Sequence, residues 1–435
     1  MTTIVRARVA HTPQNPFFDE PGLEAFDDGA VAFDAGRVLA CGDFSQVGRD
    51  HPGASVVDAR GSILLPGFVD CHVHFPQIRV IGAMGLELLD WLALRALPEE
   101  ARLSDLAYAA GVAERFVRGL AANGTTTALV FGSHVVGAQE ALFEAAEGLG
   151  LRIASGLVVS DRRLMPELEV SPSEAFELSR QLIQRWHRRG LARYAVSPRF
   201  AVSCSEEMLD VCGALRHEAE GLLVTTHLNE TRQEVELVGE LFRWAGDYLA
   251  IYEQYGLVGD RSVLAHDIHA SDAELGRLAG SGAAVAHCPS SNAFLGSGLF
   301  PLARHVSAGV RVALGTDVGA GTGLGMLKEG LMAYQVQMLA SDAYRLGPEH
   351  LLYLATAAGA AALGLGDEVG DLRPGKSADF VLVRPPRGST LEAVLERAEG
   401  PSAMLGALFT LAREESIAEV RVAGRVVWPL DGGSA

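Results

Sequence analysis

At 435 residues the chain exceeds one ordinary core, so a large domain with an accessory one, or two domains, is expected. A hydrophobic share of 49% with 21% charged residues describes a globular protein, and no uninterrupted apolar run reaches membrane-spanning length. The formal charge of −18 would repel a nucleic-acid polymer, though not a single free base, which carries no phosphate.

From the N-terminus, Met1–Pro13 lacks the apolar run of a signal peptide. Ala30–Phe33 and Val38–Cys41 read as a hairpin around a glycine-containing turn, and Ala54–Asp58 as a further strand. From Gly67 onward, short apolar runs alternate with helical stretches, the pattern of repeated βα units. Eight strands stand out: Gly67–His74, Thr125–Gly132, Ile153–Ser160, Arg193–Ser197, Leu222–His227, Ser262–His266, Ala283–His287 and Val310–Thr316. A helix is expected over Leu103–Leu120, closed by Asn123-Gly124. Asp379–Val383 and Val420–Trp428 return to short strands. The expected class is α/β, with a TIM (β/α)8 barrel between β-rich ends. The five cysteines, at 41, 71, 204, 212 and 288, form no Cys-x-x-Cys and read as reduced cytoplasmic thiols.

Side chains two apart on a strand point the same way, so His72 and His74 present two imidazoles to one point. In a barrel the C-terminal strand ends converge. The other ends carry Gln77, Arg199-Phe200, His227 with Glu230, His266, His287 and Asp317. His72, His74, His227 and Asp317 offer three neutral nitrogens and one carboxylate, with a position left for water. A divalent metal there would lower the pKa of water from about 15.7 towards ~7. Glu230 is placed to carry a proton from that water to a ring nitrogen and leaving group. His266 would hold the water or stabilise charge, as an outer group or a weak ligand. Taken singly, Asp317 would serve equally as a helix cap and Glu230 as a first-turn charge. His134 and His287 read as satisfied core histidines, and His187, His217, His305 and His350 as structural. Gly319–Gly323 reads as a flexible rim rather than a phosphate loop.

These residues carry a resemblance. Pro66-Gly67-Phe68-Val69-Asp70-Cys71-His72-Val73-His74, His227 with Glu230, His266, His287-Cys288-Pro289 and Gly315-Thr316-Asp317 resemble the amidohydrolase superfamily. Gly370–Asp379 resembles that family's return into a small β-sandwich, which implies a sandwich built from 1–65 and 370–435 around a barrel of 66–369. Within the superfamily, His74-Phe75-Pro76-Gln77, Ser197–Ser205 and Met84–Leu92 resemble the guanine deaminases, although Cys71 and Phe75 stand where Thr and Tyr are expected. That resemblance implies hydrolysis of guanine to xanthine and ammonia by a cytoplasmic homodimer that needs no membrane. It implies Gln77 and Arg199 on the polar edge of the purine base and Phe200 against its ring, with His74, His227, Glu230 and Asp317 also around the substrate. Binuclear members bridge their metals through a carboxylated lysine after strand 4, but the only lysines are Lys328 and Lys376. One metal per chain is therefore expected, zinc first and iron(II) second. The same site would suit 8-oxoguanine, cytosine, pterin or adenosine-type deamination, or triazine dechlorination. A catalytically silent scaffold would be expected to have lost ligands, and here every position is filled.

Overall fold

The computed structural model describes residues 1–18 and 22–429, so 19–21 and 430–435 of the expected sandwich segments lie outside the described residues. All eight expected barrel strands form, as Phe68–His74, Thr125–Phe131, Arg152–Ser155, Arg193–Pro198, Leu223–Leu228, Ser262–His266, Ala284–His287 and Arg311–Leu314. They pair in parallel and in chain order. Every residue of the first two strands is buried, because both faces of the sheet are covered. The ring closes where Asp317 N–H donates to the His72 carbonyl and His74 N–H donates to the Val318 carbonyl, both at 2.8 Å. Backbone groups of the candidate ligands themselves thus lock the barrel.

Most strand boundaries lie within one residue of expectation, and two ends lie further away. Ile153–Ser160 is interrupted at Gly156, and Val158–Val159 resumes the pairing against Ser197–Pro198. The cause is a close backbone approach: a Cβ at Gly156 would lie 1.9 Å from the Ala195 carbonyl oxygen. Gly156→Ala is expected to destabilise the protein by on the order of 1–3 kcal/mol through overpacking, read as a lowered urea midpoint. An unchanged midpoint would show that the strands can part freely here. The last strand stops at Leu314 rather than Thr316, because the chain turns inward over Gly315, where a Cβ would lie 2.8 Å from the His72 Cβ. The expected helix runs Leu106–Ala122, two to three residues displaced, because Asp105 caps it by accepting from Ala107 N–H at 3.0 Å.

Both ends of the chain build one seven-stranded sheet, ordered Arg425–Trp428, Ile417–Val422, Phe380–Val383, Ser55–Pro66, Thr3–His11, Glu24–Asp34, Arg37–Asp43. Phe33 and Phe380 lie three strand spacings apart in that order, about 14 Å if the sheet were flat. Their ring centroids are 5.8 Å apart. The sheet therefore folds over itself into a sandwich, with Val5, Val9, Phe33, Leu64, Phe380 and Leu382 inside. The expected hairpin forms with positive φ at both Ala35 (47°) and Gly36 (78°), the turn whose twist matches paired strands. Helix Gly400–Leu411 lies outside this sheet; its Phe409 packs over Gly330 of helix Met326–Leu339. Among the described residues, no helix is long and apolar enough to cross a membrane.

Candidate metal centre and base pocket

The barrel brings His72, His74, His227 and Asp317 together, with one ligand atom from each inside a 4.8 Å group. His74 Nε2 lies 3.1 Å from His72 Nε2, 3.3 Å from His227 Nε2 and 3.2 Å from Asp317 Oδ1, and His72 Nε2 lies 3.4 Å from the same oxygen. A tetrahedral ion with ligand bonds of about 2.0–2.1 Å has ligand–ligand edges of about 3.3 Å. The donor set fits a divalent metal in both chemistry and spacing.

Two of the ligand rings have a partner behind them, and Gln77 Nε2 lies 3.3 Å from His74 Nδ1. His227 Nδ1–H donates to the Arg199 carbonyl at 2.7 Å, which leaves the Nε2 lone pair for the ion. Asp70 accepts from Thr316 N–H at 3.0 Å and His72 N–H at 3.2 Å, tying the first strand to the turn that carries Asp317. Phe131, unremarked in the sequence, packs on three ligand rings at centroid distances of 4.6 to 5.6 Å. Burial disfavours protonated imidazole, lowering His74 to about 4 and His227 well below the usual value, so both stay neutral.

Glu230 sits beside this group. Its Oε1 accepts from Ser297 Oγ at 3.2 Å, and its Oε2 lies 3.4 Å from His266 Nε2. Burial, then the charges of Glu234 and Asp317, raise its pKa well above the ordinary carboxylate range. Glu234 completes the capping box with Thr231 and accepts from Glu230 N–H at 3.0 Å, so the turn after His227 is fixed. His266 Nδ1 pairs with Asn292 Oδ1 at 2.9 Å, and its Nε2 lies 3.9 Å from Asp317 Oδ2, outside the four-ligand group.

The adjoining pocket is lined by Gln77, Arg199 and Phe200 as expected, and also by Leu88, Trp91, Leu92, Leu295 and Ala320. Arg199 is clamped by Glu100, a residue that no sequence motif marked: Nη1 donates to Oε2 at 2.7 Å and Nη2 to Oε1 at 3.0 Å. Gln77 Nε2 donates to Glu100 Oε1 at 2.7 Å, while its Oε1 accepts from Gly319 N–H at 3.0 Å. Glu100 stands on the short helix Leu97–Ala101, with Glu99 beside it in the same first turn.

Three expectations need correction. His134 is only half satisfied, for its Nε2 lies 3.2 Å from Arg199 Nη1 while its buried Nδ1 has no hydrogen-bond partner. His287 is buried as expected but unsatisfied: neither ring nitrogen has a hydrogen-bond partner, and the ring stacks on Phe300 at 4.3 Å. Burial lowers it to about 3, so it packs as a neutral aromatic. The rim at Gly319–Gly323 is packed rather than loose, with Val318 and Ala320 buried and Gly321 N–H bonded to the Asp317 carbonyl at 2.6 Å. His187 and His305 are structural, bonded to the Glu220 carbonyl and Asp267 respectively. Neither lysine approaches the strand ends' ligand group: Lys328 bonds the Thr322 carbonyl and Lys376 the Val369 carbonyl.

Residues 63–427 match the amidohydrolase family. A protein of Deinococcus radiodurans described as a probable guanine deaminase is 52% identical over 431 residues, 98% of each chain. The guanine deaminase of Escherichia coli is 38% identical over 97% of this chain and 95% of its own. A solved guanine deaminase structure from Bradyrhizobium japonicum superposes with a TM-score of 0.94 at 32% identity, covering 98% of this chain and 99% of the other. The chain belongs to the amidohydrolase family.

Proposed function

We propose that the protein hydrolyses guanine to xanthine and ammonia, with 66–369 carrying the chemistry and 1–65 with 370–435 forming the supporting sandwich. The observation that carries this reading is the hydrogen-bonding complement left in the pocket. A guanidinium has five N–H donors. Those of Arg199 directed at Glu100 and His134 account for three, leaving two on a residue that lines the pocket. Gln77 Nε2 donates to Glu100 and lies 3.3 Å from His74 Nδ1, and its carbonyl gives one lone pair to Gly319 N–H, leaving one acceptor. Donors beside an acceptor match a ring carbonyl next to a ring N–H, the lactam edge of guanine. Adenine presents the reverse pattern, so its match is poor. Leu88, Trp91, Leu92 and Phe200 supply apolar cover for a flat ring.

His72, His74, His227 and Asp317 would hold one ion, zinc in this reading, with iron(II) as the alternative that imidazole ligands also suit. A bound divalent cation supplies Lewis acidity and makes water acidic enough to attack near neutrality. The chain's own groups do the rest. Arg199 and Gln77 orient the base, and Phe200 packs against it. Glu230, kept protonatable by burial, gives a proton to the ring nitrogen beside the amino-bearing carbon and later delivers one to the departing amine, with Asp317 assisting. His266 holds the attacking water. Water adds its oxygen to carbon, and its two protons end on the ring and on ammonia, which balances the reaction.

Ammonia release screened across guanine, 8-oxoguanine, cytosine, adenine and pterins tests the reading; turnover of another base with none of guanine would refute it. Arg199→Ala is expected to lower kcat/KM for guanine about 10- to 150-fold more than for the carbonyl-free analogue 2-aminopurine, the worth of a hydrogen bond from a charged group. Equal losses would show that Arg199 does not read the carbonyl. Five free thiols accord with a cytoplasmic setting, and homodimeric assembly belongs to the same reading.

A further inference from the structure

Glu100 touches neither the candidate ligands nor Glu230, yet a carboxylate with only 3% exposure costs several kcal/mol to bury unless well paired. The groups facing it are Arg199 at 2.7 and 3.0 Å, Gln77 at 2.7 Å and His134 Nε2 at 3.5 Å. Burial alone would raise this carboxyl, but the Arg199 charge, with the bonds from Arg199 and Gln77, holds it at about 2. His134 is kept neutral, lowered by burial to about 4. The base-reading corner is thus one cation, one anion and two neutral groups, and its net charge is zero.

We infer that Glu100 sets the charge selectivity of the base pocket: it cancels the Arg199 cation while holding Arg199 and Gln77 in one rigid array, so that a neutral oxo-base is accepted and a ring anion is turned away. This rests on the reading that Arg199 and Gln77 face the lactam edge. An uncompensated buried guanidinium would favour an anion, because charge-assisted hydrogen bonds are roughly twice as strong as neutral ones. The distinction matters for this reaction. Replacing the amino group of guanine by a carbonyl makes the product a stronger ring acid than the substrate, with an N–H that ionises near neutrality. A pocket carrying a bare cation would retain that product as its anion. With Glu100 in place, Arg199 recognises a carbonyl without trapping xanthinate.

The experiment is equilibrium binding of xanthine to the metal-loaded protein, below and above the ionisation of xanthine, with the anion-to-neutral affinity ratio compared between wild type and variants. Any attraction of the ion for xanthinate cancels in that comparison. Glu100→Gln keeps the size and removes the charge, so the ratio should rise at least about tenfold, while kcat/KM for guanine falls. Glu100→Asp keeps the charge but withdraws it, so guanine turnover should fall with no rise in the ratio. Should Glu100→Gln not fold, Arg199→Met leaves the carboxylate uncompensated, and the ratio should drop at least about tenfold. An unchanged ratio in the folded Gln variant, or in the Met variant in its place, overturns the role of Glu100 even if wild type deaminates guanine. A wild type that releases no ammonia from guanine overturns the proposed reaction instead.

Discussion

Asp317→Ala should strip metal and activity from the protein together, and His74→Ala should do the same. Asp317 is the only carboxylate of the four-ligand group, and its Oδ1 lies within 3.4 Å of both His72 and His74 Nε2. Its backbone is fixed, with φ of 48° and its N–H bonded to the His72 carbonyl at 2.8 Å, so the carboxylate is held at the ligand group. Loss of a group that merely supports a ligand costs about 10–100-fold in metal affinity, and loss of the ligand itself should exceed that. Elemental analysis after dialysis should find about one divalent ion per wild-type chain and a small fraction of that in either variant. Two ions per chain, or full occupancy in both variants, would contradict the assignment. His266→Ala provides the contrast: its Nε2 stands 3.9 Å from Asp317 Oδ2, so the ion should remain while turnover falls.

Glu230→Gln should lower kcat by at least roughly two orders of magnitude while metal content and guanine binding persist, since general acid–base catalysis is typically worth about 10²–10⁴-fold. The amide keeps the size of the side chain and can still accept from Ser297, whose hydroxyl lies 3.2 Å from Oε1. It cannot carry a proton. Burial beside Glu234 and Asp317 holds the carboxyl available in its acid form, which is the state needed to protonate a ring nitrogen. Near-normal turnover in the Gln variant would route the proton through His266 and Asp317 and leave Glu230 as a charge at the start of its helix.

The strands and the metal group were legible because two periodicities announce them. The His72–His74 alternation and the repeated βα spacing place imidazoles at converging strand ends, and the barrel needs no further information to gather them. Glu100 was not legible, because it lies 23 residues after Gln77 on a five-residue helix, and its partner Arg199 is 99 residues further on. Nothing local distinguishes it from Glu99 beside it, whose carboxylate turns instead to Arg102 and Tyr108. The apolar cover has the same difficulty: Leu88 and Leu295 come from two excursions that meet only above the barrel. The loop at Gly319–Gly323 misled for the opposite reason. Glycines suggest looseness, but here they admit backbone, since a Cβ at Gly319 would lie 2.5 Å from the Gln77 carbonyl oxygen.

The folded terminal sheet also sets a clock for synthesis. Pro66 pairs with Phe380, a residue 314 positions later in the chain. At a ribosomal pace of about 5–20 residues per second, roughly 15–60 s separate the emergence of the two strands. Through that interval Ser55–Pro66, paired on its other side with Thr3–His11, offers an open edge of unpaired amides and carbonyls to any neighbouring nascent chain. The barrel strands all fall between the two chain segments that build this sheet, and the strand that shields the first edge is made only after them.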